Sequence, residues 1–156
     1  MAWTNSKIFM ALIEDVFENT TAIDLNTDAS IKVALYNNTT APDQTVTSAN
    51  SAYAVGQWVV GNELSDAAEW AAGGVALASV TSSFASNVYT FDAANTASGS
   101  SATLTAVFGC LVYDDTIATP VADQGLCYNY FGGTNSVTDG TFTVIWHTSG
   151  IFTITA

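Results

Sequence analysis

Two kinds of side chain in this sequence could take part in acid–base catalysis, a single histidine and a set of aspartates. His147, the only histidine, follows Trp146 at the end of a strand-like run. A catalytic histidine needs a nucleophile within hydrogen-bond reach and a carboxylate that orients its ring. The sequence places no Ser or Cys in a recognisable nucleophile elbow or triad motif. We therefore interpret His147 as a turn or interface residue.

Three aspartates follow or precede apolar runs and could act as paired carboxylates. Asp114 and Asp115 are adjacent, and Asp123 lies beyond Pro120. Glycoside hydrolases use two carboxylates at a fixed separation. Neighbouring strand residues point to opposite faces, however, and aspartates at strand ends usually form turns. We expect turn formation and no catalytic residue, so the sequence predicts a protein that is not an enzyme.

An Asp-rich run and two cysteines have features of metal or disulfide chemistry. Asp24 to Asp28 has the Asp-x-Asn-x-Asp spacing that opens a calcium loop, but Ala29 replaces the turn glycine and Leu35 the bidentate glutamate. An ordinary turn is favoured over calcium binding.

Cys110 and Cys127 are too few for a disulfide scaffold or a zinc site. We expect both to be buried thiols, and a disulfide bond between them is the alternative. No cofactor and no metal is predicted.

Aromatic side chains are numerous enough to form either a core or a recognition surface. The sequence has four tryptophans, Trp3, Trp58, Trp70 and Trp146. Exposed aromatic rings could stack on sugars or anchor a protein interface, whereas buried rings only pack. As candidate interface residues we select five positions: Trp3, Ile8, Leu12, Tyr53 and Trp58.

One helix is expected near the start of the chain. Apolar residues recur from Ile8 to Phe17 with the spacing of a single helical stripe, and Thr4 or Asn5 could cap the first turn. The pattern predicts a helix from about residue 6 to residue 18. Its carboxylates lie toward the C-terminal end, where they oppose the helix dipole, so packing must stabilise it.

The remainder of the chain has the pattern of short strands separated by turn residues. A β-sandwich or jelly-roll-like barrel of about seven or eight antiparallel strands is expected, in a single domain over residues 1–156. The candidate strands are Ile31 to Tyr36, Gln57 to Val60, Val75 to Val80, Asn87 to Phe91, Ala102 to Tyr113, Gly125 to Phe131, Thr141 to His147 and Ile151 to Thr155.

The final two strands and one long loop have specific expected structures. Alternating residues on each side of Thr148-Ser149-Gly150 predict a hairpin between Thr141 to His147 and Ile151 to Thr155. Phe152 and Ile154 should share one face of its second strand. The segment from Thr39 to Ala54 is expected to be an extended loop, which in a compact domain is usually functional or packed on a neighbour.

Charge excludes several classes of function. The net charge is -12, with only two lysines, Lys7 and Lys32, and no arginine. Binding of nucleic acid, of anionic membranes or of phosphorylated substrates requires clustered cations, so these partners are not expected. Only 10% of residues are charged, which suits repeated contact with protein surfaces because long charged side chains are costly to bury.

The sequence gives no sign of export or membrane insertion. Its opening residues lack a basic region followed by an apolar run, and polar residues interrupt the uncharged stretch from Trp70 to Phe91. We therefore expect synthesis in the cytoplasm, with neither a secretory leader nor a membrane span.

Several blocks of sequence resemble small virion proteins of tailed phages that infect actinobacteria. The blocks are Met-Ala-Trp-Thr-Asn-Ser-Lys-Ile-Phe at the start, Gly56 to Val60, Gly73 to Leu77, Val107 to Asp115, Pro120 to Gly125 and Phe131 to Gly133. The resemblance spans nearly the whole chain. It implies a component of the phage particle, either a capsid decoration protein or a minor tail protein.

Composition and resemblance together favour a decoration (cement) protein on the capsid surface. Such a protein would bind the major capsid protein from outside and resist the pressure of packaged DNA, and it could form a homo-oligomer such as a trimer. We expect the N-terminal helix or the Thr39 to Ala54 loop to dock. The alternative is a minor tail or tail-tip protein that binds host-surface glycan through aromatic side chains, and a hydrolase of the host envelope is the least favoured.

Overall fold

The computed structural model describes residues 3–156, without the side chain of Asp28. Eleven strands and two short α-helices are present among these residues. The helices are Met10–Phe17 (α1) and Ser48–Ser51 (α2). The strands are Lys7–Ile8 (β1), Ile31–Tyr36 (β2), Glu63–Leu64 (β3), Val75–Ala76 (β4), Thr81–Ala85 (β5), Val88–Asp92 (β6), Thr96–Ala97 (β7), Ala102–Asp114 (β8), Gly125–Gly140 (β9), Thr143–Val144 (β10) and Phe152–Thr155 (β11).

The strands form three antiparallel sheets. The largest has the order β1-β9-β8-β2-β3, with β4 also paired to β2, and the other two are β10-β7 and β11-β6-β5. The expected mostly β, antiparallel, β-sandwich-like fold is confirmed, and the sheets do not close into a barrel. The strand count exceeds the expected seven or eight because several pairings involve only two residues.

Strand β2 lies in the middle of the main sheet and matches the expected range to the residue. It pairs with β8 along its whole length, from Ile31 opposite Asp114 to Tyr36 opposite Gly109. Five of its six residues are buried, because both faces of the sheet are covered. A short continuous apolar run is what a fully buried strand requires.

One face of the main sheet is covered by aromatic side chains from loops. The register places Tyr36, Tyr113 and Tyr128 on this face. Trp58 packs on the Tyr36 ring at a centroid distance of 4.9 Å, and Tyr53 stacks on Tyr113 at the same distance. The prediction of a strand from Gln57 to Val60 is wrong. This segment forms a turn, in which the Trp58 N–H donates a hydrogen bond to the Val55 carbonyl.

The opposite face is also apolar and is covered by the second layer. Val33, Val112 and Cys127 share this face in adjacent strands and are buried. Ile8 pairs with Cys127 and therefore points to the same side. Phe91 of β6 and Phe152 of β11, on the three-stranded sheet, contribute to the same hydrophobic core.

Helix α1 is shorter than predicted, and its start is displaced. Phe9 occupies the N-cap position without a side-chain cap, so the predicted capping by Thr4 or Asn5 is wrong. Ile8 belongs to β1 instead, and the Phe9 N–H donates to the Leu126 carbonyl at 3.2 Å. Lys7 and Ile8, which the apolar spacing alone assigns to the helix, therefore pair with β9 as a strand.

A polar contact ties α1 to the main sheet and to the long loop. The Asp15 carboxylate accepts hydrogen bonds from the Ser48 hydroxyl at 2.5 Å and from the Gln124 amide at 2.7 Å. Gln124 is fully buried. The segment from Thr39 to Ala54 is a loop as expected, except for the single turn of α2.

The predicted closing hairpin is wrong. Strand β10 pairs with β7, and β11 pairs with β6, so the two segments join different sheets. Only one isolated bridge, between His147 and Gly150, remains of the expected turn. The Ile151 N–H donates to the Phe91 carbonyl at 2.8 Å. The last strand therefore pairs with β6, which is far away in the sequence, and not with the neighbouring segment from Thr141 to His147.

Candidate functional site

An apolar groove lies between α1 and the three-stranded sheet. We call it the α1 groove. Its volume is about 330 Å³, at the lower end of the range for ligand pockets. It is lined by Ile8, Leu12, Ile13, Val16, Phe17, Ile23, Asp24, Leu25, Asn26, Ser82, Tyr89, Phe152 and Ile154.

The floor of the groove is one face of the three-stranded sheet. The register places Phe91, Phe152 and Ser82 in one row and Tyr89, Ile154 and Phe84 in the next. These six side chains share a face because they alternate with Thr and Ser along the strands. Burial decreases along the face, from fully buried Phe91 to Ile154 at 41% and Phe84 at 71% exposure.

The C-terminal turn of α1 forms one wall of the groove and is unusually apolar for an exposed surface. Phe17 is 86% exposed and Val16 is 47% exposed. Ile13 and Phe17 also line a second groove on the other side of α1, against Thr45 to Ser48 of the long loop. An apolar ridge therefore stands between two grooves. Contiguous exposed apolar patches on folded proteins commonly mark interaction sites.

Acidic side chains surround this ridge. Glu14 on α1 and Glu18, the residue that caps its C-terminal end, are exposed, and Asp24 is exposed in the wall of the α1 groove. Lys7 is the positively charged residue nearest to α1 in the sequence. It precedes Ile8 in β1, so its side chain points to the opposite face of the sheet from Ile8, which lines the groove. Asp24 is the one acidic residue that lines the α1 groove, and Glu14 lines the second groove.

The three aspartates of the possible hydrolytic site lie near one another at the end of β8. Lys32 Nζ lies 2.6 Å from the Asp115 carboxylate. Asp114 is fully buried, and its Oδ1 accepts from the Thr116 hydroxyl at 2.6 Å. Burial, and secondarily the negative charge of Asp115, raises the pKa of Asp123. Two of the three carboxylates are thus held by internal partners.

A pair of tyrosines and a glutamate adjoin the aspartates. The Tyr53 hydroxyl donates to the Glu63 carboxylate at 2.7 Å, and the Tyr113 hydroxyl donates to the Gly73 carbonyl at 2.6 Å. Burial, followed by the bond to Glu63, raises the pKa of Tyr53 to about 12, and burial also raises that of Tyr113. Both phenols are therefore neutral at ordinary pH and act as hydrogen-bond donors: Tyr53 ties the long loop to Glu63 of β3, and Tyr113 binds Gly73 just before β4.

Searches against protein-family models, curated proteins and solved structures found no match to this chain. Its function must be inferred from its own residues.

Of the five predicted interface residues, three are not available to a partner. Trp3 is 3% exposed, and Leu12 and Trp58 are also buried, because they fill the core beneath α1 and the long loop. Ile8 and Tyr53 are half-buried. Ile8 alone of the five lines the α1 groove in an accessible position.

Burial of the tryptophans bears on the glycan-binding alternative. All four are in the core, with Trp58 and Trp70 fully buried and Trp146 at 8% exposure. Stacking on a sugar requires an exposed aromatic face. Among residues 3–156 the most exposed rings are Phe17 and Phe84, which lack the polar group that Trp and Tyr offer to a sugar hydroxyl, while Tyr89 and Tyr130 are half-buried.

The remaining candidates for chemistry are held by local turns. The Asp24 carboxylate accepts from the Asn26 N–H and the Thr27 hydroxyl, and these bonds lower its pKa. The side chain of Asp28 is outside the described part of the chain. Exposed His147 accepts from the Ser149 N–H at 3.1 Å. Within the described residues, no group of three His, Cys, Asp or Glu side chains is arranged to hold a metal ion.

The cysteines face the second layer as free thiols. Cys110 and Cys127 lie on adjacent strands and are both buried. Burial raises the pKa of Cys127 to about 12, and it raises the pKa of Cys110 as well, so neither forms a reactive thiolate at neutral pH.

In residues 3–156, no helix is long and apolar enough to cross a membrane.

The residues that sequence reasoning missed are the exposed ones of the groove. Phe17 belongs to the same apolar stripe as Leu12, and nothing in that spacing separates the covered from the uncovered end. The shared face of Phe152 and Ile154 was predicted correctly, but its pairing with Tyr89 and Phe84 depends on contacts between distant strands.

Proposed function

We propose that this protein is a non-catalytic structural component of a phage particle, which decorates the outside of the capsid and stabilises contacts between major-capsid subunits. The observation that carries the proposal is the apolar ridge of α1 between two grooves, with Phe17 86% exposed. An apolar side chain so exposed gains about 1.5–3 kcal/mol when a partner buries it. A docking surface would account for the exposure of this side chain.

The charge of the chain supports an external position. A net charge of -12 repels nucleic acid, so a protein facing the packaged DNA would be placed unfavourably. An outward position avoids this repulsion. The same charge favours partners that carry lysine or arginine on their surface.

Symmetry makes a small docking surface sufficient. A capsid presents the same site many times, and a bridging protein that contacts two subunits gains from effective concentration without high affinity at either. The resemblance of blocks such as Val107 to Asp115 to virion proteins of actinobacterial phages favours a place in the phage particle. Homo-oligomerisation, including a trimer, remains a prediction.

The proposal is tested by binding to isolated heads. Heads purified from particles that lack this protein are titrated with the purified full-length chain, and bound protein is measured after sedimentation. We expect saturable binding at a fixed ratio to the major capsid protein. Bound chain should also raise the temperature at which heads release DNA, because a ligand that binds only the intact shell stabilises it.

Separated tails from the same particles serve as the control. Binding to tails and not to heads would favour the minor tail protein instead. Absence of binding to either fraction would contradict a virion role.

A further inference from the structure

Strand β5 is an edge of the three-stranded sheet. The order of that sheet is β11-β6-β5, so β5 has a neighbouring strand on one side only. Ser86 and Asn87, with φ near +52° and +64°, form the two-residue turn that joins β5 to β6. Positive φ at both positions is typical of a type I′ hairpin, in which the two residues that flank the turn bond to each other. The turn therefore makes Ala85 and Val88 a hydrogen-bonded pair.

This turn determines which backbone groups of β5 face outward. Hydrogen-bonded and non-hydrogen-bonded pairs alternate in an antiparallel ladder, so Ser83 bonds to β6, whereas Ser82 and Phe84 do not. The Phe91 carbonyl, opposite Ser82, has the same phase, because it accepts from the Ile151 N–H on the far side of β6. The N–H and C=O groups of Ser82 and Phe84 therefore point away from β6. Within residues 3–156, no backbone group of another element bonds to them.

The outward side of β5 lacks the features that usually prevent an edge from pairing with another chain. Natural edge strands are very short, or they carry lysine, proline or a bulge. The sequence of β5, Thr-Ser-Ser-Phe-Ala, has five residues without charge or proline, and it pairs with β6 without a register shift. In contrast, β1 and β3 at the ends of the main sheet have two residues each and include Lys7 and Glu63. Strand β5 is thus open to a further strand.

Pairing of β5 with a second copy of itself is self-complementary. Two copies related by a twofold axis at Ser83 run antiparallel, with Ser82 of each copy opposite Phe84 of the other. These residues carry the outward groups, so each pair exchanges both of its N–H···O bonds. The Phe84 ring, 71% exposed, comes within diagonal reach of its counterpart. On the other face, Thr81, Ser83 and Ala85 are exposed and uncharged, so no like charges meet there.

We propose that two copies of this chain associate through their β5 edges, in antiparallel register about Ser83, and join their three-stranded sheets into one continuous sheet. The contact is small, so the dissociation constant is on the order of 100 μM. The net charge of -12 on each copy opposes the contact, and association should therefore tighten as salt screens the repulsion. This inference concerns the chain in solution and does not depend on the proposed function.

Sedimentation equilibrium of the purified full-length chain measures the association, and charges placed at Ser83 test the register. Ser83 is exposed and alternates with the residues that face the α1 groove, so Ser83→Lys and Ser83→Glu should both fold. Each change alone should weaken self-association at least about tenfold, because like charges would lie directly opposite each other. An equimolar mixture of the two variants should associate at least as tightly as the natural chain, because opposite charges then meet.

Thr155→Lys is the matched control. Thr155 is exposed on β11, the other edge strand of the same sheet. The substitution adds the same charge as Ser83→Lys but lies away from the proposed contact. It should not weaken self-association.

Several outcomes would overturn the proposal. A chain that remains monomeric at about 1 mM would exclude a contact of the expected strength. Weakening by Thr155→Lys as well as by Ser83→Lys would indicate that β5 pairs with β11 of the next copy. Association that Phe17→Ser abolishes and Ser83→Lys does not would place the contact at the apolar ridge of α1. Loss of association in both Ser83 variants without recovery in their mixture would contradict the twofold register.

Discussion

Asp123 shows how the position of one carboxylate affects stability. Burial and the neighbouring Asp115 raise its pKa above the ordinary value of 3.8. Between that value and the raised one, the folded protein holds more protons than the unfolded chain. The contribution of Asp123 to stability therefore falls as pH rises through this window.

Replacing Asp123 by Asn should remove this dependence. We expect the free energy of unfolding of the Asp123→Asn variant, relative to the natural protein, to be greater at pH 7 than at pH 3. The difference should be only ~0.5 kcal/mol, because water screens a carboxylate that is only partly buried. Urea unfolding at the two pH values measures it, since urea leaves the ionic strength unchanged.

The Asp139→Asn variant provides the control. Asp139 has a left-handed backbone like that of Asp123, with φ near +49° and +56° respectively, but it is exposed. It reports the effect of an amide on such a backbone alone. An unchanged or reversed pH difference in Asp123→Asn would contradict the account of its burial.

Single residues were predictable from sequence where their role is local. The turns at Asp24 and His147 form from hydrogen bonds within three residues, and the expectation of turn chemistry matches them. The nearness of Asp123 to Asp115 was considered from the sequence, but the electrostatic effect of Lys32 on Asp123 was not. Glu63 and Tyr53 were missed as partners because folding, and not spacing, brings them to this cluster.

Packing of the N-terminal segment on β8 depends on the absence of a side chain at Gly109. A Cβ atom there would meet the ring of Trp3 and lie 2.5 Å from the Asn129 carbonyl oxygen. Trp3 is held in turn by a hydrogen bond from its indole N–H to the Asn37 carbonyl at 3.0 Å. The close approach of three segments therefore requires glycine at this position.

Gly109→Ala should destabilise the protein. We expect a loss of ~2 kcal/mol, since overpacking forces Trp3 from its site, together with a red shift in tryptophan fluorescence. Gly61→Ala is the matched control, because no atom lies within 4 Å of its added Cβ. It should leave stability unchanged or raise it slightly. Equal effects of the two changes would contradict the packing described for Trp3.

Elements were predictable to the extent that their pattern is decided locally. Ile31–Tyr36 matches its expected range because burial on both faces gives an uninterrupted apolar run. The ends of α1 and the closing hairpin could not be foreseen, since Ile8 and Ile151 form bonds with strands far away in the sequence. Pairing between distant strands is what a sequence pattern does not contain.

At the scale of the whole molecule, negative charge and an exposed apolar ridge occur together. The net charge of -12 opposes contact with the negative phosphates of nucleic acid. The ridge at Phe17 is nevertheless left uncovered.

The composition of the phage particle tests the central claim most directly. Purified particles are separated into heads and tails, and the copies of this protein are counted against the major capsid protein by quantitative gel analysis. We predict abundance comparable to the major capsid protein, confined to heads. A few copies confined to tails, or absence from both fractions, would contradict capsid decoration.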